Sequence, residues 1–190
     1  MTIGYAMCGS FCTLSKSLLY MQSLVNLGYD IIPITSFNVK NLDTKFGKAI
    51  EFKQKIESIC NRKIISSIED AEPLGPKDLL DLLVIAPCTG NSLSKISLAI
   101  TDTPVTMAAK SQLRVNKPVL IALCSNDALG LSAQNIGRLL CAKNIFFVPM
   151  YQDDINKKPN SLVSNFDLMQ DSIHNALLGK QIYPIFNQIK

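Results

Sequence analysis

The sequence predicts an α/β fold: a single doubly wound parallel sheet of about six strands between two helical layers, in the Rossmann or flavodoxin manner. Three observations predict it. Short apolar runs alternate with amphipathic stretches along the whole chain. Those runs are apolar throughout, as strands buried on both faces must be, rather than alternating apolar and polar. Hydrophobic residues make up 47% of the 190 residues and charged residues only 18%, which suits a doubly covered sheet or a protomer that hides surface in an oligomer. Residues 1–190 read as one domain, since no repeat or low-complexity segment interrupts them and the length suits a single core.

The elements follow in order. TIGYAMC (2–8) is the first strand, and LSKSLLYMQSLVNLG (14–28) repeats apolar residues at helical spacing until Gly28 stops it. YDIIPIT (29–35) is the second strand. NLDTKFGKAIEFKQKIESICN (41–61) is a more polar helix with Asn41 or Asp43 as its cap, and KIISS (63–67) is a short third strand. EDAEPLGPKD (69–78) is a turn-rich connector leading to a helical turn at 77–81. LLVIAP (82–87) and KPVLIALC (117–124) are the fourth and fifth strands. SAQNIGRLLCAKN (132–144) is a helix before the sixth strand, IFFVPM (145–150). YQDDINKKPNSLVS (151–164) reads as a loop, and the last helix covers 166–178.

Composition narrows the function. The net charge of +4 is spread along the chain with no basic run, so nucleic acid is not an expected partner. No stretch of roughly 18 apolar residues suggests a membrane span, and MTIGYAMCGS lacks the basic n-region of a signal peptide. Cysteines at 8, 12, 60, 88, 124 and 141 form no Cys-x-x-Cys pair and read as free thiols of a cytoplasmic protein. With His174 the single histidine, no metal site is expected.

In an open parallel sheet, ligands bind beyond the carboxyl ends of the strands, where strand order reverses. The segments there are CGSFCTLSK, TSFN, PCTGNSLSK and SNDALG, rich in Gly, Ser, Thr, Asn and Cys. For any one of them, Ser10, Thr13, Asn91 or Ser92 capping a helix is a sufficient explanation. Four on one edge point to a phosphate-bearing ligand, because outward N–H groups and helix dipoles favour an anion. Gly4 and Gly9 have Walker spacing, but Ser10-Phe11 stands where Lys-Ser/Thr is required, so a P-loop is excluded. No Gly-x-Gly-x-x-Gly follows the first strand. A mononucleotide with one terminal phosphate, such as FMN, fits better than a dinucleotide.

GSFCTLSKSLLYMQSLVNLGYDIIPITS and VIAPCTGNSLSKISLAITDTPVTMAAK resemble the flavoprotein family of flavin-containing cysteine decarboxylases and flavin prenyltransferases. That family's Ala-Pro-Ala-Ser-Ala-Asn-Thr segment corresponds here to Ala86–Ser92. SNDALGLSAQNIGRLL and NIFFVPMYQDDINKKPNSLVSNFDLM look like the family's branch of dipicolinate synthase B subunits from spore-forming bacteria. The resemblance implies an FMN phosphate near Gly9, Ser10, Phe11 and Thr89, with Ser36 beside the phosphate or ribityl chain. It also implies that Pro87, Cys88, Asn91 and Asn126 border the cofactor.

It further implies a cytoplasmic trimer or multiple of one, with DTPVTMAAKSQL near a neighbour's cofactor. The A subunit of dipicolinate synthase would be the partner and carry NAD(P), and a small dicarboxylate would be substrate, dehydrogenated in sporulation. The alternatives are a non-catalytic partner that stabilises the A subunit, or a decarboxylase or prenyltransferase. Against decarboxylation, no histidine follows the second strand, and LCSND keeps only Asn126 of the family's Pro-x-Met-Asn segment. No catalytic residue is assigned from sequence. Cys88 reads as a small packing residue more readily than as a redox group, because its motif holds no His or Lys to lower its pKa. Lys95, Lys110 and Arg114 are the cations nearest the motif, available to a dicarboxylate.

Overall fold

A computed structural model describes residues 1–187. The strands are β1 (Thr2–Met7), β2 (Asp30–Thr35), β3 (Leu82–Cys88), β4 (Val119–Ser125), β5 (Ile145–Phe147), β6 (Met150–Tyr151) and β7 (Leu162–Ser164). The helices are α1 (Phe11–Asn26), α2 (Phe37–Asn41), α3 (Ala49–Cys60), α4 (Ile68–Ala71), α5 (Gly90–Ser97), α6 (Pro104–Leu113), α7 (Ala133–Leu140) and α8 (Met169–Leu177). The seven strands form one mixed sheet in the order β2-β1-β3-β4-β7-β6, with β5 also on β4. Strands β1 to β5 pair in parallel, while β7 is antiparallel to both β4 and β6. The chain leaves β1 towards β2 and returns on the other side as β3. Strand order therefore reverses between β1 and β3, and a crevice opens at their carboxyl ends.

Each strand is apolar because each face is covered. Tyr5, Met7, Val84 and Ala122 pack under α1, α3 and α8. Ala6, Leu83, Ile85 and Ile121 pack under α4, α5, α6 and α7. Leu14, Met21 and Leu24 of α1 are all 0% exposed, and burial of such side chains contributes about 2 kcal/mol apiece. A buried polar chain fixes α1 lengthwise. The Tyr5 hydroxyl bonds to Ser17 Oγ at 3.0 Å, and Ser17 Oγ donates to the Ala86 carbonyl at 2.6 Å. This ties α1 to both β1 and β3. Burial raises the Tyr5 pKa, so the hydroxyl stays protonated as that network requires.

Several details differ from the sequence expectation. KIISS is not a strand: it contributes one bridge, Ile65 with Ile34, because the chain touches the sheet edge only briefly. The expected helical turn at 77–81 is instead a short 3₁₀ turn, Glu72–Leu74, followed by a turn around Gly75. The expected loop 151–164 contains β7, and the expected sixth strand divides into β5 and β6 around Pro149. Proline cannot donate to a ladder, so pairing breaks there; its carbonyl accepts from Asn165 N at 2.7 Å instead. Helix α1 also begins earlier than its periodicity suggests, at Phe11, and ends before Gly28, whose φ of +86° suits glycine. The helix expected over 41–61 starts only at Ala49, with Lys48 at its N-cap and Asn41 closing α2; Asp43, in the loop between, is not the cap residue, though its Oδ1 accepts from Ala49 N at 2.8 Å.

Candidate functional site

The β1–β3 crevice is floored by the strand ends. Cys8 N donates to the Pro87 carbonyl at 3.0 Å, which holds the two strands at the same level. The Ala86–Pro87 peptide is cis. Cys8 and Cys88 lie side by side on one face of the sheet, 1% and 0% exposed. The neighbouring Cys8 thiol and burial push the Cys88 thiol well above its ordinary range, and Cys88 Sγ donates to the Thr89 carbonyl at 3.6 Å. The Cys88 thiol in turn lowers Cys8, against the opposing effect of burial. Cys124 is pushed up to about 11, chiefly by burial. Cys88 and Cys124 are packing groups that keep their protons at neutral pH.

Above this floor stands the amino end of α1. Its N-cap residue, Ser10, makes no side-chain cap bond, and the first turn has no acidic residue. Among the described residues, none accepts a hydrogen bond from the N–H groups of Gly9, Phe11 or Cys12. The hydroxyls of Ser10 and Thr13 lie 3.4 Å apart beside them. Gly9 is closely held: a Cβ there would come within 3.2 Å of Asn38 Cβ and of the Phe11 ring. The start of the 16-residue helix α1 thus combines three N–H groups without an acceptor among the described residues, counting that of Gly9, with two hydroxyls and no carboxylate, a setting that favours an anion.

Ser36 closes one side of the crevice. Its N–H bonds to the Met7 carbonyl at 2.9 Å, and its hydroxyl meets Val39 N at a long 3.5 Å. The other side is the β3–α5 junction. Thr89 caps α5, its Oγ1 accepting from Ser92 N at 3.3 Å and lying 3.2 Å from Ser92 Oγ. Gly90 sits against the β4–α7 loop, where a Cβ would come 2.7 Å from Ser125 Oγ. That loop is braced by Ser132 Oγ, which donates to Asp127 Oδ2 at 3.1 Å.

Gly9, Ser10, Phe11, Ser36, Pro87, Cys88 and Thr89 thus gather along one sheet edge, around the point where strand order reverses. Asn91, at the start of α5, and Asn126, just after β4, stand on the same edge with exposed side chains. Of the cations proposed for a dicarboxylate, Lys95 is paired with Asp102 at 2.8 Å and Arg114 with Glu72 at 2.6 Å. Lys110 is exposed. His174 is exposed on α8. Sequence reasoning missed the Cys12 N–H, the Tyr5–Ser17–Ala86 chain, and the contact of Gly90 with Ser125. A glycine at the start of a helix, facing a serine-rich loop, was the available signal for the last.

The donor set fits the phosphate of FMN: open N–H groups at a helix end, two hydroxyls, and a glycine that leaves room for close approach. The Flavoprotein family profile matches residues 1–171. The chain is 49% identical over 183 residues to the dipicolinate synthase B subunit of Bacillus subtilis (strain 168), covering 96% of this chain and 92% of that protein. It is 45% identical to the dipicolinate synthase B subunit from Bacillus halodurans C, whose crystal structure superposes with a TM-score of 0.90 over 98% of this chain and 96% of that one. The FMN-dependent cysteine decarboxylase SpaF shares the fold at 20% identity, with a TM-score of 0.68 and coverage of 94% and 95%. The chain belongs to the flavoprotein family.

Proposed function

We propose that this chain is the B subunit of a dipicolinate synthase that binds FMN in the β1–β3 crevice. It acts with the A subunit of dipicolinate synthase, which brings NAD(P), to oxidise dihydrodipicolinate to pyridine-2,6-dicarboxylate in the mother-cell cytoplasm during sporulation. The observation that carries this reading is the 49% identity to a dipicolinate synthase B subunit over 96% of the chain. The uncapped end of α1 supports the cofactor.

The N–H groups of Gly9, Phe11 and Cys12, with the Ser10 and Ser36 hydroxyls, would hold the FMN phosphate. Pro87, Cys88 and Thr89 would form the wall beside the ring system, with Asn91 and Asn126 at its mouth. When bound, FMN supplies a two-electron acceptor suited to aromatising a dihydropyridine. The chain's own part is to fix the phosphate, exclude water from the crevice floor, and keep the Cys88 thiol protonated.

Proton transfer is assigned to the A subunit side of the site. The nearby acids of this chain are engaged in structure: Asp102 pairs with Lys95, and Asp127 accepts from Ser132. A site without a placed acid or base forgoes a factor of about 100 to 10,000, so this chain alone should turn over slowly. The whole of residues 1–190 acts as one domain in this reading. Leu98, Ile100 and Leu131, which are 56%, 43% and 85% exposed beside α5 and α7, supply a face for a homotrimer or a multiple of one.

The test is a dehydrogenation assay on dihydrodipicolinate with this protein, the A subunit, and the mixture, after identifying any cofactor released from the purified protein. Activity of the mixture well above either chain is expected. Full activity from this chain alone contradicts the partner requirement. Full activity from the A subunit on its own, unchanged on mixing, favours a stabilising role instead.

A further inference from the structure

One margin of the sheet is a single run, IFFVPMY (145–151), in which β5 lies beside β4 and β6 beside β7. The run carries no charge, and its first four residues are aromatic or β-branched. An uncharged run of this kind at a sheet edge is a template for pairing with another chain.

The segment after α8 meets the outer backbone groups of this run. Gln181 presents its side-chain amide to Phe147: Oε1 accepts from Phe147 N at 2.8 Å, and Nε2 donates to the Phe147 carbonyl at 2.7 Å. One side-chain amide thereby stands where a peptide unit of a neighbouring strand would. The same Nε2 donates to the Ile182 carbonyl at 2.9 Å, which orients the amide. Further on the backbone takes over. Met150 N donates to the Ile185 carbonyl at 2.7 Å, Asn187 N donates to the Met150 carbonyl at 2.9 Å, and Phe186 forms a parallel bridge with Met150.

Little else holds the segment. Ile185 packs on the core, while Tyr183 and Phe186 are exposed. Each hydrogen bond contributes modestly to stability, so such a segment opens locally without unfolding the sheet beneath it.

We propose that residues 181–187 are a detachable guard on this edge. Docked, they keep the 145–151 run from pairing with the same run of a second copy; released, they free it. The occupant of the freed edge is a second copy because the run is its own complement. Two uncharged copies pair antiparallel about a two-fold axis with no like charges opposed.

The full chain tests this with amide hydrogen exchange, resolved by nuclear magnetic resonance, and with sedimentation at rising protein concentration. In Gln181→Leu, which removes both amide bonds, the Phe147 N–H should exchange at least tenfold faster than in wild type. The Val148 N–H, bonded to the Ile121 carbonyl at 2.9 Å, should keep its protection. Species larger than the wild-type assembly should appear as concentration rises. Gln181→Glu keeps an acceptor for Phe147 N but loses the donor, so it should fall between the two. Unchanged Phe147 exchange in Gln181→Leu overturns the proposal, and so does faster exchange with no larger species. Loss of Val148 protection as well would show that Gln181 supports β5 itself rather than guarding its edge, and overturns it too. Neither measurement uses a flavin, so the outcome is independent of the function proposed above.

Discussion

Helices α1 and α5 begin at the same sheet edge, each after a parallel strand and a short run of small polar residues, yet they begin differently. At α5 the Thr89 hydroxyl accepts from Ser92 N, so the helix satisfies one of its own end groups. At α1 Ser10 makes no such bond, and the N–H groups of Gly9, Phe11 and Cys12 have no acceptor among the described residues. Unsatisfied N–H groups are tolerable at a helix end open to water or a ligand. The N–H groups of Gly90 and Asn91 at α5 have no acceptor among the described residues either, so the two ends differ in the additional open N–H of Gly9 and in a Ser10 hydroxyl that caps nothing. The polar loops on this edge differ in how their hydroxyls are used: Thr89 caps α5, Ser10 makes no cap bond, and Ser36 caps α2 through a bond of 3.5 Å.

The strongest way to break this comparison is to close α1 artificially. Ser10→Asp supplies a cap and a favourable charge, so urea unfolding should show a gain of about 0.5–1 kcal/mol. The same carboxylate faces a bound phosphate, and FMN affinity should fall at least ~100-fold in a fluorescence titration. Opposite signs for stability and binding are the signature; a loss of both would point to a misfolded loop.

At α5 the expected effects are on stability. Gly90→Ala would normally help a helix, but its Cβ meets Ser125 Oγ at 2.7 Å. A loss of about 1–3 kcal/mol by urea unfolding is expected; a gain would show that the β3 and β4 loops are not locked together. Thr89→Ala removes the cap and should cost about 1 kcal/mol, with FMN affinity within roughly a factor of three of wild type. A larger binding loss would move Thr89 from the wall to the phosphate. The smallest effect is with pH. A phosphate monoester takes its second charge near pH ~6, so FMN should bind a few-fold more weakly at pH 5 than at pH 7.5. Riboflavin, lacking the phosphate, should show no such trend.

Much of this was legible in the sequence because strands buried on both faces must be apolar throughout, and LLVIAP and KPVLIALC are. The parallel order and the position of the crevice follow from alternation and handedness. Strand β7 was not legible: three residues at the end of a polar loop carry too little pattern, and their pairing with β4 is set by tertiary context. The site was legible as a region, since Gly9, Ser10, Ser36 and Thr89 all sit on its edge. Which of these hydroxyls is free was not, because Ser10 and Thr89 look alike as cap residues. Only the geometry of Thr13, Ser92 and their N–H groups distinguishes them.

The central claim is that the open end of α1 holds a flavin phosphate. The most direct measurement compares FMN with riboflavin, by fluorescence titration, in the wild-type protein and in Ser10→Asp. The wild-type protein should prefer FMN by at least ~100-fold, the scale of charge-assisted bonds at a helix end, and Ser10→Asp should abolish that preference while leaving riboflavin binding unchanged. Equal affinity of the wild-type protein for FMN and riboflavin, or a preference that survives Ser10→Asp intact, would contradict it.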